Sequence, residues 1–158
     1  MKKAALLAIF LLLLNGCKKE SKSEENNIIE INQASKEDIL ADIPTVECYL
    51  FVQGKDSIEL KIEIQDDEVM GSLAYKFFEK DNSTGSLKGD INGEILKADY
   101  TFKSEGTTSV REVIFLKDGK TYVPAYGEMT FKGDKEVFQQ STSLDFKYSQ
   151  ALKQVECE

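Results

Sequence analysis

The chain has 158 residues, 20 Lys plus Arg against 28 Asp plus Glu, a formal net charge of -8, three Cys, and neither His nor Trp. That length fits one modest domain rather than two independent cores. The lack of His excludes Ser-His-Asp and Cys-His nucleophiles, imidazole-bound metals and the commonest general base, and the acidic balance disfavours a surface that neutralises nucleic-acid phosphates.

At the N-terminus, Lys2 and Lys3 precede an unbroken apolar run from Ala4 to Leu14. The run is shorter than the roughly 20 residues a membrane-spanning helix needs, and it suits the core of a secretory signal, about 7 to 15 residues. Leu14-Asn15-Gly16-Cys17 follows and resembles the bacterial lipobox. The resemblance implies that residues 1–16 are a lipoprotein signal peptide and that Cys17 becomes the lipidated N-terminus, acylated with palmitate-type chains. The membrane is then a partner through the anchor. Several acyl chains hold durably where one binds only marginally, at about 0.8 kcal/mol per buried methylene.

Residues 17–45 read as a tether. Lys18 to Asn27 is too polar to bury a core and is expected to be disordered. Ser35 to Leu40 suits a short helix with Ser35 as N-cap and Asp38 three residues on, ended by Pro44. Lys18-Lys19-Glu20 and Lys22-Ser23-Glu24-Glu25 are similar to the export signals of Bacteroidota surface lipoproteins. The alternative is a solvated spacer on the periplasmic side of the outer membrane.

From Val46 onward, residues 46–158, the period is two. Ile58, Leu60, Ile62 and Ile64 alternate with polar and charged neighbours; Val69, Leu73 and Tyr75, then Leu87 and Ile91, continue the period, and Leu96, Ala98, Tyr100 and Phe102 alternate with Lys97, Asp99, Thr101 and Lys103. Turn signals at Gly54-Lys55-Asp56, Asp66-Asp67-Glu68, Asp81 to Gly85, Asn92-Gly93, Asp118-Gly119 and Gly133-Asp134 separate the runs. Asn92-Gly93 and Asp118-Gly119 are read as type I′ hairpins. The fold expected is all-β: an antiparallel up-and-down meander of about eight strands, closing into a lipocalin-like barrel to remove its edges, with an open two-sheet sandwich as the alternative. A barrel of that size is either filled by side chains or wide enough for one small ligand.

After the lipobox Cys, Cys48 and Cys157 remain. In an exported chain the pair is most economically a disulfide, and a closed meander makes its first and last strands neighbours.

Several pieces between Cys48 and Leu116 resemble a group of small Bacteroidota envelope lipoproteins: Cys48-Tyr49, Val69-Met70-Gly71-Ser72-Leu73, Ala98-Asp99-Tyr100-Thr101-Phe102 and Ser109-Val110-Arg111-Glu112-Val113. The resemblance implies an envelope location and a β-rich fold. It brings no established activity and no catalytic residue.

Arg111 is the sole Arg in the chain. It shares a strand face with Val113 and Phe115, while Glu112 shares the other with Val110, Ile114 and Leu116. Both faces are partly apolar, so three readings stand: internal pairing with a residue such as Glu105, recognition of a ligand carboxylate, or a solvated surface charge. Tyr49, Tyr75, Tyr100, Tyr122, Tyr126 and Phe102 either line a calyx or fill a core. The candidate ligand-binding set is Tyr100, Phe102, Arg111 and Tyr126. Asp81 to Gly85 lacks the spacing of a calcium loop, so neither metal nor cofactor is expected. Carboxylates fall mainly on wet strand faces, and a non-enzymatic role follows.

The expected function is a lipid-anchored outer-membrane binding domain for a small apolar or amphipathic ligand. A protein-binding envelope factor, contacting its partner through Asp81 to Gly85 and Lys103 to Ser109, or a structural lipoprotein are the alternatives. Cys17→Ala should leave an uncleaved, unlipidated precursor; mass spectrometry of the membrane-extracted protein reads this directly.

Overall fold

The computed structural model describes residues 43–158, apart from 81 and 105. The signal segment, Cys17, the tether up to residue 42 and the Ser35 to Leu40 helix lie outside the described residues. Seven consecutive strands follow one another, with alternating burial clearest in β2: β1 (Thr45–Gln53), β2 (Asp56–Gln65), β3 (Glu68–Lys76), β4 (Ser83–Asn92), β5 (Ile95–Ser104), β6 (Thr107–Asp118) and β7 (Thr121–Tyr126). Each pairs antiparallel with the next. The chain then leaves the meander for β8 (Met129–Lys132), β9 (Lys135–Phe138), β10 (Asp145–Phe146) and a 3-10 turn at Tyr148–Gln150 before returning as β11 (Leu152–Val155).

Closure comes from β11. It pairs antiparallel with β1 on one side and with β7 on the other, through Leu152↔Tyr122 and Lys153↔Thr121. The ring β1 to β7 plus β11 is a closed eight-stranded antiparallel up-and-down barrel of lipocalin-like topology. The sandwich is thereby excluded. The regular short connections expected throughout fail after β7, where β8, β9 and β10 lie outside the ring. Cys48 and Cys157 form a disulfide, Cα to Cα 5.3 Å, across 109 residues of sequence. It fastens β1 to the segment following β11, where ring closure has already made them neighbours.

The turns fall one residue later than the dipeptides suggest. Asn92 pairs with Ile95 and Asp118 with Thr121, so the loops are Gly93-Glu94 and Gly119-Lys120. Only the glycine of each has positive φ, 61° and 57°. That replaces the expected I′ geometry with glycine at the first of two loop positions, the order found in type II′ hairpins. Asp81 to Gly85 is also shorter as a loop than expected, because Ser83 to Gly85 already belong to β4.

The barrel interior is filled. Inward residues from every ring strand, including Tyr49, Ile58, Leu60, Leu73, Leu96, Tyr100, Phe115, Tyr122 and Leu152, form one buried cluster. Tyr122 stands edge-on to Tyr49, ring centroids 4.7 Å apart, and to Phe115 at 6.2 Å. Of the calyx aromatics, Tyr49, Tyr100 and Tyr122 are therefore core. At the end where β1 begins, Tyr49 donates to Glu47 Oε2 at 2.6 Å and Lys117 Nζ donates to the same oxygen at 3.3 Å. Burial and the Glu47 charge push the Tyr122 hydroxyl up to about 12. Burial, reinforced by the hydrogen bond to Glu47, raises Tyr49 well above the usual phenol range.

Inward-facing Gly85 lets β4 approach β5 closely. A Cβ there would lie 2.0 Å from the Thr101 carbonyl oxygen and 2.7 Å from Phe102 Cα, both backbone atoms that no rotamer change can move. Gly85→Ala should therefore destabilise the domain by about 1 to 3 kcal/mol or more in urea unfolding. Ser86→Ala, next to it on the exposed face, should stay within about 0.5 kcal/mol of the parent.

Tyr49, Tyr100 and Tyr122, all buried, carry raised hydroxyl pKa values. The unfolded chain releases these protons from about pH 10 while the folded barrel still holds them. Stability should thus be level below pH 10 and fall as pH rises beyond it, by about 1.4 kcal/mol per pH unit for each such group. Denaturant titrations from pH 8 to 12, with tyrosinate absorbance read in parallel, check both the direction and the slope.

Candidate functional site

The cleft of interest begins at Pro124. Proline has no N–H to donate, and the β6–β7 ladder ends at Phe115↔Pro124. Beyond that point β7 parts from β6 and pairs instead with β10, through Ala125↔Phe146 and Tyr126↔Asp145. The edge of β6 vacated by β7 is taken up further along by β9, which runs parallel to it through Val110↔Lys135 and Arg111↔Glu136. Residues 112–114 lie between the two ladders, and among the described residues no strand pairs with them on that edge.

A cleft of about 440 Å³ occupies this divergence. Its apolar walls include Tyr75, Phe77, Val113, Phe115, Met129 and Phe138, and its polar groups include Ser83, Arg111, Glu112, Tyr126 and Glu136. Two larger hollows, about 720 and 670 Å³, lie on the outside of the sheet against side chains such as Lys88, Asp90, Glu59 and Lys61. Those are the wet faces of the strands. Of these three hollows among the described residues, the cleft is the one that combines several aromatic rings with a few polar groups, the usual make-up of a small-molecule site.

Register decides the question of Arg111. It stands opposite Tyr100, whose ring is core, so its side chain leaves the sheet on the interior face. Lying near the mouth, it is half exposed, and its Nε donates to Glu136 Oε2 at 2.5 Å. Among the described residues its partner is Glu136; Glu105 lies outside the described residues. The guanidinium also covers the Phe102 ring, Cζ 5.6 Å from the centroid. Phe102 stacks on Tyr100 at 4.7 Å, and Tyr100 meets Tyr75 edge-on at 5.9 Å. Tyr100 donates to Ser83 Oγ at 3.0 Å, and Tyr126 donates to Gln150 Oε1 at 2.6 Å.

Of the four residues expected to bind ligand, Arg111 and Tyr126 line the cleft. Tyr100 is only 1% exposed and Phe102 lies beneath the Arg111 guanidinium, so both form the floor behind the cleft rather than its surface. Tyr75 was among the calyx candidates and does line it. Glu136, Phe138 and Met129 gave no signal in the sequence, because they arrive on a hairpin docked in parallel against β6, a pairing that alternation does not encode.

The opposite face of β6 explains why its parity is ambiguous. Glu112 points outward yet is only 6% exposed. Lys97 Nζ lies 3.0 Å from its Oε1, and the Phe138 N–H donates to its Oε2 at 3.2 Å. Lys135 also pairs with Asp99, which ties β9 to β5, while Glu112 ties both β5 and β9 to β6. Burial raises the Tyr75 hydroxyl, with Tyr126 and Tyr100 reinforcing the shift and Arg111 opposing it. Burial also raises Tyr126, against the nearby Lys147. Among the described residues, no group of three or more His, Cys, Asp or Glu side chains is placed to hold a metal ion.

Compared with protein-family models, with curated proteins and with solved structures, the chain matches none.

Proposed function

We propose that the chain is an outer-membrane lipoprotein whose barrel is a non-enzymatic binding domain for a small amphipathic ligand. The observation that carries the binding role is the cleft between β6 and β7, an aromatic-walled hollow of about 440 Å³ with a half-exposed guanidinium on its wall. Because the barrel interior is filled, the ligand sits at the mouth instead of in a deep calyx. The cleft's two carboxylates are each engaged by a cation, Glu112 by Lys97 and Glu136 by Arg111. Both are held in ion pairs, which favours binding over catalysis.

The lipidated Cys17 of the proposal supplies the anchor, and β1 begins at Thr45, paired with Ile64 beside the β2–β3 turn. Tyr75, opposite Ile58, lies toward the other end of the barrel, near the β1–β2 turn. A chain held by its N-terminus therefore carries its cleft on the end away from the point where the tether joins. A protein partner is the second reading, favoured by Phe131, 76% exposed on the open edge strand β8.

Native mass spectrometry of the full-length lipoprotein, extracted from its own envelope, tests the choice. A bound small molecule at one per chain is the expected result. A preparation free of small molecules, retaining instead a protein lost on Phe131→Ser, would replace the first reading with the second.

A further inference from the structure

The cleft's donors and acceptors are unequally occupied. Glu112 has both oxygens engaged, one by Lys97 and one by the Phe138 N–H. Glu136 gives one oxygen to Arg111. On the donor side, Glu136 is the acceptor that Arg111 Nε meets, and among the described residues the Nη edge of the guanidinium meets no acceptor. An arginine carries five N–H donors in a planar fork, so most of its capacity remains on a group half open to the cleft. The Tyr75 hydroxyl lies on the same cleft and likewise donates to no described group.

We infer that the ligand is an amphipathic carboxylic acid, its carboxylate held by the Nη edge of Arg111 beside the Tyr75 hydroxyl and its apolar body lying against Phe77, Phe138 and Met129. This inference rests on the cleft being a ligand site. Glu136 holds Nε and thereby fixes the plane of the fork, while Phe102 supports the guanidinium from below. A single negative charge suits the place better than a doubly charged phosphate, because Glu136 sits beside the guanidinium and repels a second charge. The influence of Arg111 on Tyr75 is consistent with the two groups acting on one anion.

Decanoate and decanol share a ten-carbon tail and differ in the polar group, so isothermal titration of the full-length protein with each separates the two claims. Decanoate should bind about tenfold or more tightly than decanol, and Arg111→Gln should abolish that difference, since charge-assisted hydrogen bonds at a half-exposed site are worth about a factor of ten. Arg111→Lys, which keeps the charge but loses the fork, should retain only part of the preference. Glu136→Gln keeps a side-chain oxygen to accept from Nε and removes only the competing charge, so it should strengthen decanoate binding several-fold. A weakening there would mean that the ion pair is structural and would overturn the inference.

Equal binding of decanol and decanoate, indifferent to Arg111→Gln, overturns the anion assignment and leaves the cleft as an apolar site. No binding of either overturns the ligand reading itself. Should Arg111→Gln fail to fold, Tyr75→Phe and Glu136→Gln decide the matter, because Tyr75→Phe removes a donor without altering charge and is expected to weaken decanoate alone.

Discussion

The structure depends on a short strand bonded on both edges. Through Thr121 and Tyr122, β7 joins β11, and through Thr121 to Pro124 it joins β6. Together with the β1–β11 pairs and the disulfide, those few pairs turn an open meander into a ring. Everything inside the ring follows from closure. With eight strands the lumen is narrow enough for inward side chains to meet across it. Tyr49, Tyr100, Tyr122 and Phe115 pack into it within one buried cluster. Pro124 then stops the β6–β7 ladder before it reaches the mouth, and the cleft is the space that this interruption leaves.

The segment between β7 and β11 works as a patch over the interruption. Its hairpin docks on β6 with only two strand pairs, too few to hold it by backbone hydrogen bonds alone. Side-chain ties supply the rest: Arg111 to Glu136 on the interior side, and Lys97, Glu112 and the Phe138 N–H on the exterior. Glu112 is a buried carboxylate, and it is tolerated because both oxygens are satisfied. The same ties orient the guanidinium. Support of the hairpin and presentation of the cleft's positive group are thus one arrangement of charges, and a change to either partner is felt by both.

Much of this could be read before any coordinates. The inward sets on β2, β3 and β5 follow from strict alternation, because the pleat sends successive side chains to opposite faces and only one face of these strands is buried. The pairing of Cys48 with Cys157 followed from topology and cysteine count. Register at the turns was missed by one residue, since Asn-Gly and Asp-Gly mark a turn region without stating which residue opens the loop. The parity of β6 was not legible, because its outward Glu112 and Ile114 are covered by a hairpin from further along the chain and look apolar-compatible on both sides. Glu136 could not be foreseen as the partner of Arg111 for the same reason: 25 residues separate them in sequence, and only the parallel docking of β9 brings them together.

The sequence by itself determined the class of fold, its strand count to within the excursion after β7, the cysteine pair and the resemblance of Leu14 to Cys17 to a lipobox. All of these are written in local period or short motifs. Tertiary structure decided that the inward side chains pack into one buried cluster, that Arg111 leaves the sheet on the interior face near its mouth, and that Glu136 and Phe138 complete the cleft. Those outcomes depend on how closely distant strands approach and on where one ladder stops, and neither quantity is fixed by neighbours in sequence.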